Sequence, residues 1–147
     1  MRISVINGPN LNLLGKRDKD LYGQVSLREI QGNLKSHFPD IEFDFYQSNV
    51  EGELINKIQS LANDFEGLII NPGGYAHTSI AIKDALSELD IPKIEVHLSN
   101  LAAREGYRQI LITASACNGY ISGFKEKSYF AAVFLLKNII GRRGGKI

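Results

Sequence analysis

The hydrophobic positions change period several times along the chain. Arg2 to Asn7 is rich in β-branched residues and predicts a buried strand, which Gly8-Pro9-Asn10 stops. A polar loop with Gly15 and Gly23 follows, to about Val25. Ser26, with Glu29 three residues later, has capping-box spacing and opens a helix to about Phe38, before the break at Pro39-Asp40. Glu42 to Ser48 alternates polar and apolar, as an edge strand does. Leu54, Ile55, Ile58, Leu61, Ala62 and Phe65 recur at helical spacing, predicting a second helix from about Glu51 to Asp64. Gly67 to Asn71 is a short buried strand ended by Pro72-Gly73-Gly74. Thr78 or Ser79 caps a third helix carrying Ile80, Ile82, Ala85, Leu86 and Leu89. Pro92 separates it from a strand over Lys93 to His97. Ser99 to Arg108 reads as a short helix or irregular loop, and a fifth strand falls between Ile110 and Ser122. Glu126 to Ile140 is a strongly apolar last helix, followed by a frayed tail over about 141–147.

Five short strands alternating with helices imply an all-parallel sheet covered on both faces. The edge-like second strand suits the order 2-1-3-4-5, so the expected fold is α/β: a flavodoxin-like three-layer sandwich forming one domain over residues 1–147. The 147 residues are too few for a (β/α)8 barrel, which takes about 250. Charge narrows the function. Lys and Arg number 17 against 16 Asp and Glu, a net charge of +1, which argues against a broad nucleic-acid-binding face. No apolar run reaches the roughly 18 residues of a membrane span, and no signal-peptide pattern opens the chain, so a cytoplasmic location is expected. Cys117 is the only cysteine, which excludes an internal disulfide and a Cys-cluster zinc site.

Parallel sheets of this kind bind ligands beyond the carboxyl ends of their strands, at the switch point between strands 1 and 3. The loops after strands 1, 3 and 4 carry the most unusual sequences, and topology gathers Asn10, Asn71, His77, His97 and Ser99 around one crevice. Two of the three histidines lie there; His37 sits near a helix end, away from it. Neither Gly-x-Gly-x-x-Gly nor a P-loop is present, so a dinucleotide or P-loop phosphate site is unsupported.

Three segments carry a family resemblance. Ile6-Asn7-Gly8-Pro9-Asn10-Leu11-Asn12-Leu13-Leu14-Gly15-Lys16-Arg17, with Tyr22-Gly23 following, resembles the opening signature of the type II 3-dehydroquinate dehydratases. Asn71-Pro72-Gly73-Gly74-Tyr75-Ala76-His77-Thr78-Ser79 resembles their second signature. Glu95-Val96-His97-Leu98-Ser99-Asn100, then Arg104-Glu105-Gly106-Tyr107-Arg108, resembles their third. The similarity runs from Ile3 to about Leu136.

The resemblance implies a hydro-lyase that dehydrates 3-dehydroquinate to 3-dehydroshikimate in the shikimate route to aromatic compounds, with no metal and no cofactor. Such a reaction needs a base, a holder for the enolate oxygen and an acid for the leaving hydroxyl. The matched positions are Tyr22 as base, Arg17 as the cation that activates it, His97 as acid and Asn10 as the enolate stabiliser. Free tyrosine titrates near 10, and lowering it by about 2–3 units takes roughly 3–4 kcal/mol, which nearby cations supply. Glu95 precedes His97 by two residues, so in a regular strand both face the same way and the carboxylate can orient the imidazole. Asn71, His77, Leu98, Ser99 and Arg108 match substrate-binding positions, and Asp84 matches one that reaches a neighbouring subunit. Holding a carboxylate on Leu98 and Ser99 makes physical sense if a helix starts there. Arg104 is expected to anchor its loop through an ion pair. The implied partners are the substrate and further copies of the chain, assembled as a homododecamer built from four trimers.

Residues 15–25 read as a lid carrying Arg17 and Tyr22. The family pattern Arg-Glu-Pro is Arg17-Asp18-Lys19 here, and losing the proline implies a more flexible open lid. Ala76 stands where the family usually has threonine, and residues 113–127 also drift from the pattern. A non-catalytic flavodoxin-like module for small molecules is the competing reading. It would bind phosphate through backbone groups and has no use for Tyr22, Arg17 and His97 together.

Overall fold

The structure is a computed structural model that describes residues 1–144. Strand β1, Arg2–Asn7, forms the middle of the first half of the sheet. A single helical turn, α1 (Lys19–Tyr22), interrupts the polar loop after it. Helix α2 (Leu27–His37) starts where the capping pattern predicts: the Ser26 hydroxyl accepts from the Glu29 amide at 3.1 Å. Then come β2 (Glu42–Gln47), α3 (Glu51–Gln59), β3 (Gly67–Asn71), α4 (Ile80–Glu88), β4 (Lys93–His97), β5 (Gly119–Ser122) and α5 (Lys127–Gly144). Every strand pair is parallel and the order is β2-β1-β3-β4-β5, as the alternation of elements implies. Between the named elements lie short 3-10 turns, among them Gly73–His77, Leu101–Ala103 and Thr113–Ala116.

The period of two along the central strands sorts their side chains onto two cores. Ile3, Val5, Ile69, Ile94 and Val96 pack under α2 and α5. Ile6, Leu68 and Ile70 pack under α3 and α4, with Leu54, Ile58, Ile82 and Leu86. Both faces of β1, β3 and β4 are therefore buried, which is why these strands read as nearly continuous apolar runs.

Several boundaries differ from expectation for local reasons. α3 stops at Gln59 rather than near Asp64, because the Ser60 hydroxyl bonds back to the Lys57 carbonyl at 2.7 Å and the chain tightens into turns. Leu61 and Phe65 still reach the core from those turns, which explains the longer apolar period. α5 runs through Gly144 instead of ending at Ile140, with Arg142 and Arg143 in its last turn, where cations suit the helix dipole. The rest of the expected tail, 145–147, lies outside the described residues. Ser79, not Thr78, caps α4, accepting from the Ile82 amide at 2.9 Å.

A polar group sits inside the first core. The fully buried Tyr129 hydroxyl donates to Asn7 Oδ1 at the end of β1 and accepts from Asn71 Nδ2, at 3.1 Å, at the end of β3. Burial pushes this phenol up, so it stays protonated and donates. It ties α5 to the two strand ends that bracket the crevice. Replacing Tyr129 by phenylalanine leaves two buried amides without this partner and is expected to cost about 1–3 kcal/mol, read as a lower denaturant midpoint at unchanged slope.

Candidate active site

The loops after β1 and β3 cross at van der Waals contact. A Cβ on Gly8 would lie 2.4 Å from the Pro72 carbonyl oxygen, so only glycine fits there. The Gly8 amide donates to the Asn71 carbonyl at 2.7 Å across the crossing. Asn10 follows in the left-handed region, φ 68°, a conformation asparagine tolerates better than most residues. Its amide N–H donates to Asn49 Oδ1 at 3.0 Å. That carboxamide also takes a bond from Gln47 Nε2, and the Asn49 carbonyl accepts from the Tyr75 hydroxyl. Two polar residues outside the signatures, Gln47 and Asn49, therefore fix the Asn10 loop together with Tyr75 of the second signature. The Asn10 side chain makes no capping bond to the turn it precedes.

A crevice with a cavity volume of about 100 Å³ opens beyond the carboxyl ends of β1, β3 and β4. Asn10, Arg17, Tyr22 and Asn71 line one part of it. His77, His97, Leu98, Ser99, Arg104 and Arg108 line the rest. Glu95 is fully buried beneath the surface of the crevice, and Asp84 lies on the exposed side of α4, outside the lining of its own chain.

Tyr22 is held by two arginines. The Arg17 guanidinium lies 3.8 Å above its ring centroid, a cation–π contact. Arg104 Nη1 donates to the phenol oxygen at 2.9 Å and to the Ser99 hydroxyl at 3.0 Å. Arg104 also touches Glu105, at 3.4 Å, in keeping with the expected ion pair. Its bond to Tyr22 spans 82 residues and has no signal in local spacing. The lid itself holds structure. Asp18 caps α1, accepting from the Asp20 amide at 2.9 Å, so the departure at 18 keeps a capping residue.

On the opposite wall, β4 stays regular through His97, and the two-residue spacing brings its imidazole onto Glu95. His97 Nε2 lies 2.8 Å from Glu95 Oε2. The other carboxylate oxygen, Oε1, accepts from the fully buried Thr113 hydroxyl. His77 sits beside His97, with ring centroids 6.1 Å apart, and its Nδ1 is 2.7 Å from the Ile110 carbonyl. A carbonyl only accepts, so His77 carries its neutral-state proton on Nδ1. Burial first, with a smaller contribution from the neighbouring His97, holds His77 below the ordinary histidine range and keeps it neutral. Cys117, close to the same carboxylate, is pushed up to about 12, chiefly by burial, so its thiol is not the anion of this site.

Asn71 lines the crevice with its carboxamide already tied to Tyr129 and, at 3.1 Å, to the Gly73 amide, so it braces the β3 loop. Ser99 is not at the start of an α-helix. The chain makes only the 3-10 turn Leu101–Ala103 there, so a helix terminus contributes nothing to an anion at Leu98 and Ser99. Arg108 is paired with Glu105 at 3.0 Å. Among the described residues no three His, Cys, Asp or Glu side chains gather as a metal-ligand set. No described helix is long and apolar enough to cross a membrane.

A doubly wound parallel sheet with a cation-flanked phenol and a carboxylate-backed imidazole lining one crevice at its switch point has the architecture of an α/β small-molecule enzyme. The comparisons give the particular family. A family model described as Dehydroquinase class II matches residues 1–137. The 3-dehydroquinate dehydratase of Clostridium botulinum is 49% identical over 144 residues, covering 96% of this chain and 98% of the relative. The crystal structure of the type II dehydroquinase from Butyrivibrio crossotus superposes with a TM-score of 0.91 at 45% identity, covering 93% of this chain and 97% of that one. The type II dehydroquinase from Propionibacterium acnes gives 0.87 at 34% identity, covering 92% and 96%. The chain belongs to the class II dehydroquinases, a family of 3-dehydroquinate hydro-lyases.

Proposed function

We propose that this chain dehydrates 3-dehydroquinate to 3-dehydroshikimate plus water by anti elimination through an enolate, with Tyr22 as base and His97 as acid. The observation that carries this reading is the meeting of two arginines on Tyr22 across one crevice from the His97–Glu95 pair. The Arg104 guanidinium is donor-only, so its N–H against the phenol oxygen stabilises negative charge there. Arg17 adds positive field from the ring face. The phenolate removes the proton next to the ketone, and the electron pair moves onto the ketone oxygen. Asn10, acting through an ordered water, stabilises that enolate. The enolate then collapses, the carbon–hydroxyl bond breaks, and His97 imidazolium gives its Nδ1 proton to the departing oxygen. Water leaves, and the net proton transfer is from carbon to hydroxyl.

Substrate binding falls to the remaining matched residues. Ser99, whose hydroxyl accepts from Arg104, keeps its own hydrogen to donate to the substrate carboxylate, beside the Leu98 and Ser99 amides. Neutral His77, Asn71 and Arg108 hold the carboxylate and ring hydroxyls. Asp84 serves the crevice of a neighbouring subunit within a homododecamer of four trimers. The exposed Tyr120, Phe124, Phe134 and Leu135 give such an assembly apolar surface to bury. Sedimentation at the mass of twelve chains is the matching result. The reaction belongs to the shikimate route and runs in the cytoplasm.

The test is direct. Mixing the protein with 3-dehydroquinate should raise ultraviolet absorbance as the conjugated ketone forms; no rise from folded protein overturns the reading. Borohydride with substrate should leave activity intact, since no lysine imine forms.

The lid offers a second test. Lys19 occupies the first position of α1, where proline is favoured, and Asp18 before it, at φ −51° and ψ 111°, lies outside the helical region that a following proline disfavours. Lys19→Pro therefore fits the lid conformation that carries α1 while restricting the alternatives to it. It should lower KM about 2- to 5-fold, the equivalent of roughly 0.4–1 kcal/mol of removed chain freedom. Steady-state kinetics check it, and an unchanged KM would mean that the lid is equally ordered without substrate.

A further inference from the structure

We propose that Thr113 is a positioning residue for the acid, and that the segment carrying it sets the proton arrangement of both crevice histidines. This inference rests on His97 being the acid. The segment runs under the crevice between α4 and β5. The Ile112 amide bonds to the Ala76 carbonyl at 2.8 Å, locking it to the loop that holds His77. From that anchor it makes two contacts with opposite polarity. The Ile110 carbonyl accepts from His77 Nδ1, and the Thr113 hydroxyl donates to Glu95 Oε1. Thr113 and Glu95 are both fully buried and His97 is nearly so, so water does not replace this hydroxyl.

The consequences follow from donor and acceptor chemistry. A Glu95 carboxylate that accepts from Thr113 on one oxygen and from His97 Nε2 on the other is satisfied as the anion. That fixes the proton of neutral His97 on Nε2 and leaves Nδ1 as the nitrogen that gains and delivers the second proton. His77 has the reverse arrangement: Nδ1 holds the proton and Nε2 is a lone pair. Two imidazoles 6.1 Å apart thus take different roles, one a cation in turn, the other neutral. The other titratable and charged groups near this pair are Cys117, which stays a thiol, Lys93, whose ammonium is tied to the Leu89 and Ile91 carbonyls, Arg108, and Arg104, which donates to Tyr22 and Ser99. None of them supplies Glu95 with the neutral donor that Thr113 does.

Thr113→Val keeps the shape and removes the donor. With 3-dehydroquinate as substrate, kcat should fall about 10- to 100-fold, the loss expected for a hydrogen bond to a buried charged group, while KM stays unchanged. The basic limb of the kcat–pH profile should move to higher pH, because a carboxylate that has lost one donor holds the imidazolium proton more tightly and makes it a weaker acid. Thr113→Ser should restore both. In a His97→Gln background, removing the Thr113 hydroxyl should change nothing further. Imidazole ¹⁵N spectra of the unaltered protein provide a readout that needs no variant to fold: neutral His97 should be protonated on Nε2 and His77 on Nδ1. The opposite tautomers, or a folded Thr113→Val enzyme with unaltered kcat and pH profile, overturn the inference. Absence of turnover in the unaltered protein instead overturns the functional reading beneath it.

Discussion

Replacing Tyr22 by phenylalanine should lower kcat by about 10²–10⁴-fold, the usual contribution of a positioned base, and leave substrate binding nearly intact. The change removes one oxygen. The ring stays under Arg17, whose cation–π contact at 3.8 Å does not use the hydroxyl, so the lid keeps its packing. Arg104 loses one acceptor but retains Ser99 at 3.0 Å, so the carboxylate end of the crevice keeps its shape. The loss should therefore fall on kcat while the dissociation constant, measured by calorimetry with the inactive variant, moves little. A variant that loses binding and turnover together would assign Tyr22 to substrate binding rather than proton removal.

His97→Gln should lower kcat by a comparable factor, about 10²–10⁴-fold, for a different reason. Glutamine places an amide N–H near the position of Nε2, so Glu95 keeps a donor, but it has no proton to deliver to the leaving hydroxyl. Stability should change little. His97→Ala, by contrast, leaves the fully buried Glu95 with Thr113 as its remaining side-chain partner. Removing one partner of a buried charged pair costs about 3–5 kcal/mol, so that variant should melt well below the glutamine one. Equal melting temperatures with equal loss of activity would mean that Glu95 is not anionic beside His97.

The parts legible in the sequence are those set by regular periods. Glu95 and His97 share a face because β4 stays an uninterrupted strand, and period two needs no tertiary information. The strand-end rule gathers Asn10, Asn71 and His77 because the order of the sheet follows from alternating elements. What escaped depends on irregular backbone. The turn α1 is too short for a helical period, and only Asp18 as a cap hints at it. Arg104 reaches Tyr22 through a chain of 3-10 turns whose path no pattern encodes. Thr113 lies in a segment where local preferences are weak, so its buried hydroxyl gives no sequence signal. The segment from Ser99, read as a short helix or irregular loop, shows the converse: an anion-binding argument conditional on a helix start fails when the chain makes one tight turn instead.

The bond from Tyr129 to Asn7 spans 122 residues, and with the one to Asn71 it joins the last helix to the two strand ends that frame the crevice. During synthesis, the ribosome must release Tyr129 before the walls that carry Asn10 and Asn71 can be braced against each other. An incomplete chain can hold the signature sequences and much of the sheet while lacking this brace. Termination between Arg108 and the last helix would thus yield a product that carries all three recognisable motifs without the geometry that makes them chemistry.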